Sequence, residues 1–192
     1  MVEELTRAFV AVPCGEPLAG ALSRRLDAAG AHAPVRWTRP ETWHLTLQFL
    51  GDWPRDRLTS LQLALEALSG PEPAVLDPAG LGGFPDLARP RVLFLQFTGT
   101  EPLLDLAAQV RRVTGAVWPD GPQDTRPFQP HLTLARMPAP LEPWQLKSLL
   151  GIDLGDLPPL VAGRFQLMSS RLGPGGARYA VLAAIALRKK GE

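Results

Sequence analysis

The chain contains a single cysteine, Cys14. One thiol excludes an intramolecular disulfide and any cysteine-based metal cluster. Cys14 closes a short apolar run with no activating base beside it, so packing is its simplest role. Long hydrophobic runs are missing too: none approaches the ~18 residues of a membrane span. The opening stretch, Met1 to Arg7, carries Glu3 and Glu4 but no basic region, apolar segment or small-residue cleavage site of a secretory signal. The expectation is a cytoplasmic protein. Charge of one sign is equally scarce, with 20 basic residues against 19 acidic ones and a formal net charge of +1. Such a chain does not coat nucleic acid electrostatically. A nucleic-acid ligand would be gripped at a terminus or as a small piece. Lysine supplies three of the basic residues and arginine seventeen, an imbalance that says little about binding. What remains is ordinary for a folded protein: 192 residues, 45% hydrophobic and 20% charged, enough for one domain or two small lobes sharing a cleft.

The strongest pattern is an internal repeat spanning approximately residues 7–85 and 90–187. The first copy opens with the apolar strand Ala8-Phe9-Val10-Ala11-Val12. Leu18, Leu22 and Leu26 then recur at helical spacing between Glu16 and Ala29. A loop containing Arg36, Trp37, Arg39 and Pro40 leads into His44-Leu45-Thr46-Leu47-Gln48-Phe49. The second copy repeats the order: a strand over Arg91 to Phe97, a helix over Glu101 to Val113, a Pro- and Gly-rich loop, then His131-Leu132-Thr133-Leu134. A further helix follows each motif, over Arg55 to Leu68 and Leu141 to Leu150. The glycine-rich turn from Gly173 to Gly176 has the length of a hairpin and implies antiparallel pairing. The first strand lacks a Gly-rich phosphate-binding turn. These features predict an α+β fold rather than a parallel α/β sheet, with two similar lobes related by a pseudo-twofold axis.

Only three histidines exist, and two of them head the identical tetrapeptides. Strand side chains alternate with period two. His44, Thr46 and Gln48 are thus expected on one face with Leu45, Leu47 and Phe49 on the other; His131 and Thr133 likewise oppose Leu132 and Leu134. The leucine face belongs to the core, and the polar face to a concave surface. One His-x-Thr on a strand is most simply a satisfied polar pair; two copies at equivalent points of a repeat point to chemistry. Near neutrality one imidazole can be neutral while another is protonated, an acid–base couple. In-line phosphoryl displacement needs groups on opposite sides of phosphorus, which two opposed lobes provide. The threonine hydroxyls would donate to non-bridging phosphate oxygens. A zinc site is the rival, but it needs a third ligand. The nearby carboxylates, Glu41, Asp52 and Asp124, do not recur at matching positions. His32 lacks a threonine partner and reads as an exposed loop residue.

These residues resemble the 2H phosphoesterase superfamily, and within it the RNA 2′,3′-cyclic phosphodiesterases, historically called 2′-5′ RNA ligases. The resemblance extends to Arg7-Ala8-Phe9-Val10-Ala11-Val12, Gly83-Phe84-Pro85, Phe128-Gln129-Pro130-His131 and the Ser170 to Tyr179 stretch, so it covers nearly the whole chain. It implies a single bilobal domain over 1–192, with an antiparallel sheet in each lobe, helices outside and a central cleft. It also implies a hydrolase that opens ribose 2′,3′-cyclic phosphates to 2′-phosphates; with no third ligand in the motifs, that enzyme is expected to be metal-free and cofactor-free. The resemblance further implies that His44 is the proton donor, His131 the proton acceptor, and Thr46 and Thr133 phosphate binders. The motifs alone, being symmetric, leave the two histidine roles open. Arg136 matches a basic position that can approach the phosphate, although strict alternation from His131 turns it to the leucine side unless the strand ends or bulges. The expected partners are RNA termini or nucleoside 2′,3′-cyclic phosphates, met by a monomer away from membranes. Reversible 2′-5′ ligation, another cyclic phosphate substrate, and a non-catalytic RNA-end binder stay open as alternatives. Phe9, Trp37, Phe128 and Tyr179 could stack on a base, with core packing the weightier role for each.

Overall fold

The computed structural model describes residues 4–29, 34–68, 72–122, 124, 126–173 and 176–187. His32, the tip of the Gly173–Gly176 turn and the basic stretch at 188–190 lie outside them. In chain order the elements are β1 (Leu5–Pro13), α1 (Glu16–Ala29), β2 (Arg36–Trp37), β3 (His44–Pro54), α2 (Leu58–Glu66), β4 (Ala74–Phe84), β5 (Val92–Thr98), α3 (Glu101–Val117), β6 (His131–Arg136), α4 (Pro143–Leu150), β7 (Leu160–Ala162), β8 (Arg164–Gly173) and β9 (Gly176–Ala186). Short 3-10 turns at Pro40–Thr42 and Arg55–Arg57 flank β3. Helix α4 starts later than its leucine pattern suggests, because Glu142 and Gln145 form a reciprocal capping box around Pro143. Two short strands, β2 and β7, carry too few residues to show a period.

Every strand pair is antiparallel. The sheet runs β7-β4-β5-β6-β3-β1-β8-β9, with β2 pairing the remaining edge of β6. The fold is therefore α+β, as expected. It is one continuous sheet whose two halves meet at a seam between β3 and β6. The sequence repeats do not map onto the halves one to one. Strand β4, from the first repeat, docks on β5 of the second, while β8, from the second, docks on β1 of the first.

One face of the sheet is covered by helices. Leu18 and Leu22 of α1, Leu61 and Leu65 of α2, Leu106 and Val110 of α3 and Leu149 of α4 are all buried in a single apolar cluster with Leu45, Leu47, Leu132 and Leu134. The leucines of both motifs thus lie on the core face. Burial of this kind contributes about 25 cal/mol per Å² of apolar surface removed from water. The opposite face of the central strands holds the histidines. No helix among the described residues is long and apolar enough to cross a membrane.

Candidate active site

Leu45 and Leu132 are the residues paired across the β3–β6 seam. Extending this antiparallel register by one residue sets His44 across from Thr133 and Thr46 across from His131. All four then share the face opposite the leucines, and the histidines stand diagonally, about 7–8 Å apart at the usual spacing. Beyond Leu132 the edge of β6 passes to β2, where Arg36 pairs Arg136 and Trp37 pairs Ala135. Strands β3 and β6 therefore overlap only at their N-terminal ends, where the two histidines stand.

The two rings are held alike. His44 Nδ1 lies 2.6 Å from the carbonyl of Thr42, and His131 Nδ1 lies 2.7 Å from the carbonyl of Gln129. A carbonyl only accepts, so each Nδ1 carries a proton. Neither Nε2 has a hydrogen-bond partner among the described residues, so each can accept or donate a proton. Aromatic rings brace both sides. His44 lies 4.9 Å from Phe9 and 5.3 Å from Tyr179, while His131 lies 4.9 Å from Phe84 and 5.1 Å from Phe94 between ring centres. Phe94 can lie flat over β4 because its partner there is Gly82; a Cβ at that position would collide with the ring.

Both imidazoles titrate below their ordinary value of 6.5. Burial is the largest cause for each, because it penalises the charged ring; the carbonyl bonds oppose it. The His131 charge lowers His44 further, and the Arg136 guanidinium lowers His131.

Strict alternation fails in both motifs, and at the same place. In β6, Thr133 pairs Phe94 and Ala135 pairs Leu93, so Leu134 is an extra residue. In β3, Thr46 pairs Ala11 and Gln48 pairs Val10, so Leu47 is extra. A bulge of this kind reverses the facing of everything beyond it. Gln48 is accordingly not on the histidine face: it is 4% exposed in the core, where the Thr114 hydroxyl donates to its Oε1 at 3.0 Å. Phe49 is not core: it is 51% exposed, opposite Phe9 and on the side of the histidines. Arg136 likewise turns to the side of His131 and Thr133, exposed opposite Val92. A second register shift follows at Leu50, next to Gly51, whose φ of 70° suits glycine.

Phe49 is the residue that alternation hid, and only the β1–β3 register shows it. The Arg126 guanidinium lies 5.8 Å from its ring centre. Among the aromatic candidates, Phe9 is buried, Trp37 and Phe128 pack against the core, and Tyr179 is half-buried edge-on to His44. Cys14 is half-buried with its thiol pushed up to about 12, chiefly by burial, so it is no nucleophile. Among the described residues no three His, Cys, Asp or Glu side chains converge as a metal site would need.

A family model described as LigT like phosphoesterase matches residues 12–94. The chain is 34% identical over 146 residues to the RNA 2′,3′-cyclic phosphodiesterase of Geobacillus stearothermophilus, a match covering 73% of this chain but only 46% of that relative. It is 31% identical over 179 residues to the RNA 2′,3′-cyclic phosphodiesterase of Methanothermobacter thermautotrophicus, covering 90% of this chain and 94% of the other. The crystal structure of the Thermus thermophilus protein TT0787 superposes with a TM-score of 0.74 at 31% identity, over 95% of this chain and 98% of that one.

Proposed function

The chain belongs to the LigT-like phosphoesterases of the 2H superfamily, and from that premise we propose that it hydrolyses the 2′,3′-cyclic phosphate ends of RNA to 2′-phosphates. The observation that carries this reading is the matched pair of imidazoles, each anchored through Nδ1 and each with Nε2 unengaged among the described residues, on one face with a threonine across from each.

In this reading the cyclic phosphate sits between the rings. Neutral His131 takes a proton from water through Nε2 as the water oxygen bonds to phosphorus. The P–O3′ bond breaks, its electron pair goes to O3′, and His44 delivers its Nε2 proton there. The products are a 3′-hydroxyl and a 2′-phosphomonoester. The arginine beside His131 supports this division of roles, since a neighbouring positive charge favours the neutral imidazole that a base requires. Thr46, Thr133 and Arg136 supply donors for the non-bridging oxygens, where charge develops. Phe49 offers a flat apolar surface to the terminal base. The enzyme works on RNA termini or nucleoside 2′,3′-cyclic phosphates as a cytoplasmic monomer, without metal or cofactor.

The test is incubation with a nucleoside 2′,3′-cyclic phosphate in excess chelator, with the product's phosphate position read by phosphorus NMR. A 2′-phosphate supports the reading. Binding without turnover would make the site an RNA-end receptor, and a joined 2′-5′ product would make the reverse reaction its work.

A further inference from the structure

The concave face does not stop at His44. Beyond β1 it continues over β8 and β9, where Met168, Tyr179 and Val181 line a cavity of about 540 Å³. Arg39, Glu41 and Thr42, from the turn ahead of the first motif, and Arg178 line it as well. This volume falls within the ~300–1,000 Å³ typical of small-molecule sites.

Two contacts join the cavity to the site already described. The Thr42 carbonyl holds the His44 ring, and the Tyr179 ring stands edge-on to it. The cavity therefore opens on the donor side of the reaction centre. In-line displacement then says what must lie there, an argument that rests on the phosphodiesterase reading. Water enters from the His131 side, so the leaving O3′, the ribose bearing it and everything attached to that ribose lie on the His44 side. A cyclic mononucleotide is accounted for by the phosphate donors and Phe49. An RNA end carries more: one phosphodiester leads from its C5′ to another nucleotide.

The lining suits that group. Among the described residues Arg39 and Arg178 form no ion pair; the pairs present are Arg25–Asp153, Arg55–Glu4 and Arg126–Asp124. Glu41 leaves the cavity one positive charge in excess and offers an acceptor to a ribose hydroxyl or a base amine. Val181, 51% exposed on the strand, presents an apolar surface.

We propose that this cavity binds the nucleotide immediately 5′ to the cyclic-phosphate nucleotide, with Arg39 and Arg178 on the linking phosphodiester and Met168, Tyr179 and Val181 against the base. The preferred substrate is then an RNA end rather than a free cyclic nucleotide.

The experiment compares kcat/KM for a nucleoside 2′,3′-cyclic phosphate and for the dinucleotide that ends in the same cyclic nucleotide. The dinucleotide should be favoured by about tenfold or more, as expected for charge-assisted phosphate contacts plus one stacked base. Arg39→Ala and Arg178→Ala should each reduce that advantage and leave mononucleotide turnover unchanged, which also shows that the variants fold. A neutral methylphosphonate linkage in the dinucleotide should reproduce the loss in the parent enzyme. Equal kcat/KM for the two substrates, or a preference that survives both substitutions, overturns the proposal. If neither compound is hydrolysed, the phosphodiesterase reading fails, and equilibrium binding of the same two compounds decides the subsite: tighter dinucleotide binding that needs Arg39 and Arg178 upholds it, and equal binding overturns it.

Discussion

Trp43 and Thr38 tie the two histidine motifs together. The indole N–H of Trp43, the residue ahead of His44, donates to Thr38 Oγ1 at 2.8 Å, and that hydroxyl donates in turn toward the carbonyls of Thr133 and Leu134 at 2.7 and 2.8 Å. The Thr38 amide bonds the Leu134 carbonyl as well. One side chain thus satisfies the backbone at the β6 bulge and fixes where β3 begins. Thr38→Val should lower kcat by about tenfold with little change in KM, since a small misplacement of reacting groups is costly. Thr38→Ser should restore it. Steady-state kinetics of the two variants decides, and a Val variant with unchanged kcat removes Thr38 from the positioning of the site.

Replacing either histidine by alanine should cost about 10²–10⁴ in kcat, the usual contribution of a general acid or base. Thr46→Ala and Thr133→Ala should each cost roughly 10²–10³. Circular dichroism should show all four variants folded, because these side chains lie on the open face and not among the core leucines. Full activity in His44→Ala or His131→Ala would refute the acid–base assignment.

The pH profile of kcat/KM should be bell-shaped with its optimum below the ordinary imidazole value of 6.5, since burial holds both rings down. Rising pH removes the proton from His44, and falling pH adds one to His131. Arg136→Gln deletes a positive charge that depresses His131, so the acidic limb should move to higher pH. An acidic limb that does not move would mean that Arg136 fails to act on His131.

The same shifts predict how stability follows pH. A histidine whose folded pKa is depressed binds its proton more readily in the unfolded chain, so protonation favours unfolding. The stabilisation is complete above the unfolded value near 6.5 and is lost as pH falls toward the folded values. Melting temperature should therefore fall between about pH 7 and about pH 5, and fall less in a His44→Asn/His131→Asn double variant. Calorimetry across that window checks it; parallel curves would rule the histidines out as the source.

Thr114→Val should destabilise the fold by about 1–3 kcal/mol while sparing the rate, because it leaves the buried Gln48 amide oxygen without its donor. Thr114 is 2% exposed on α3, on the far side of the sheet from the histidines. Urea denaturation paired with an activity assay separates the two effects.

Much of this was legible in the residues themselves. Leucines alternating with His and Thr mark a strand with one wet face, and the repeat of that pattern announces a second strand like it. The facing of Gln48, Phe49 and Arg136 was not legible. It depends on the bulges at Leu47 and Leu134, which are properties of pairing with β1 and β5 and not of β3 or β6 alone. Period-two reasoning holds only up to the first extra residue. Strand β2 stayed hidden for a related reason: two residues carry no period, and Arg36 and Trp37 are extended because the open edge of β6 needs hydrogen-bond partners. The docking of β4 and β8 in opposite halves is likewise a choice of partner, invisible in either strand by itself.

That crossing has a consequence for how the enzyme comes into being. Strand β1, which carries the Phe9 support of His44, gains its outer neighbour only when β8 arrives, more than 150 residues later in synthesis. The His44 half is therefore the last to gain its strands, with β8 and β9 following β7, which closes the opposite edge. A nascent or truncated chain can hold both histidine motifs and still have no working cleft, so catalytic competence becomes a signature of completed folding.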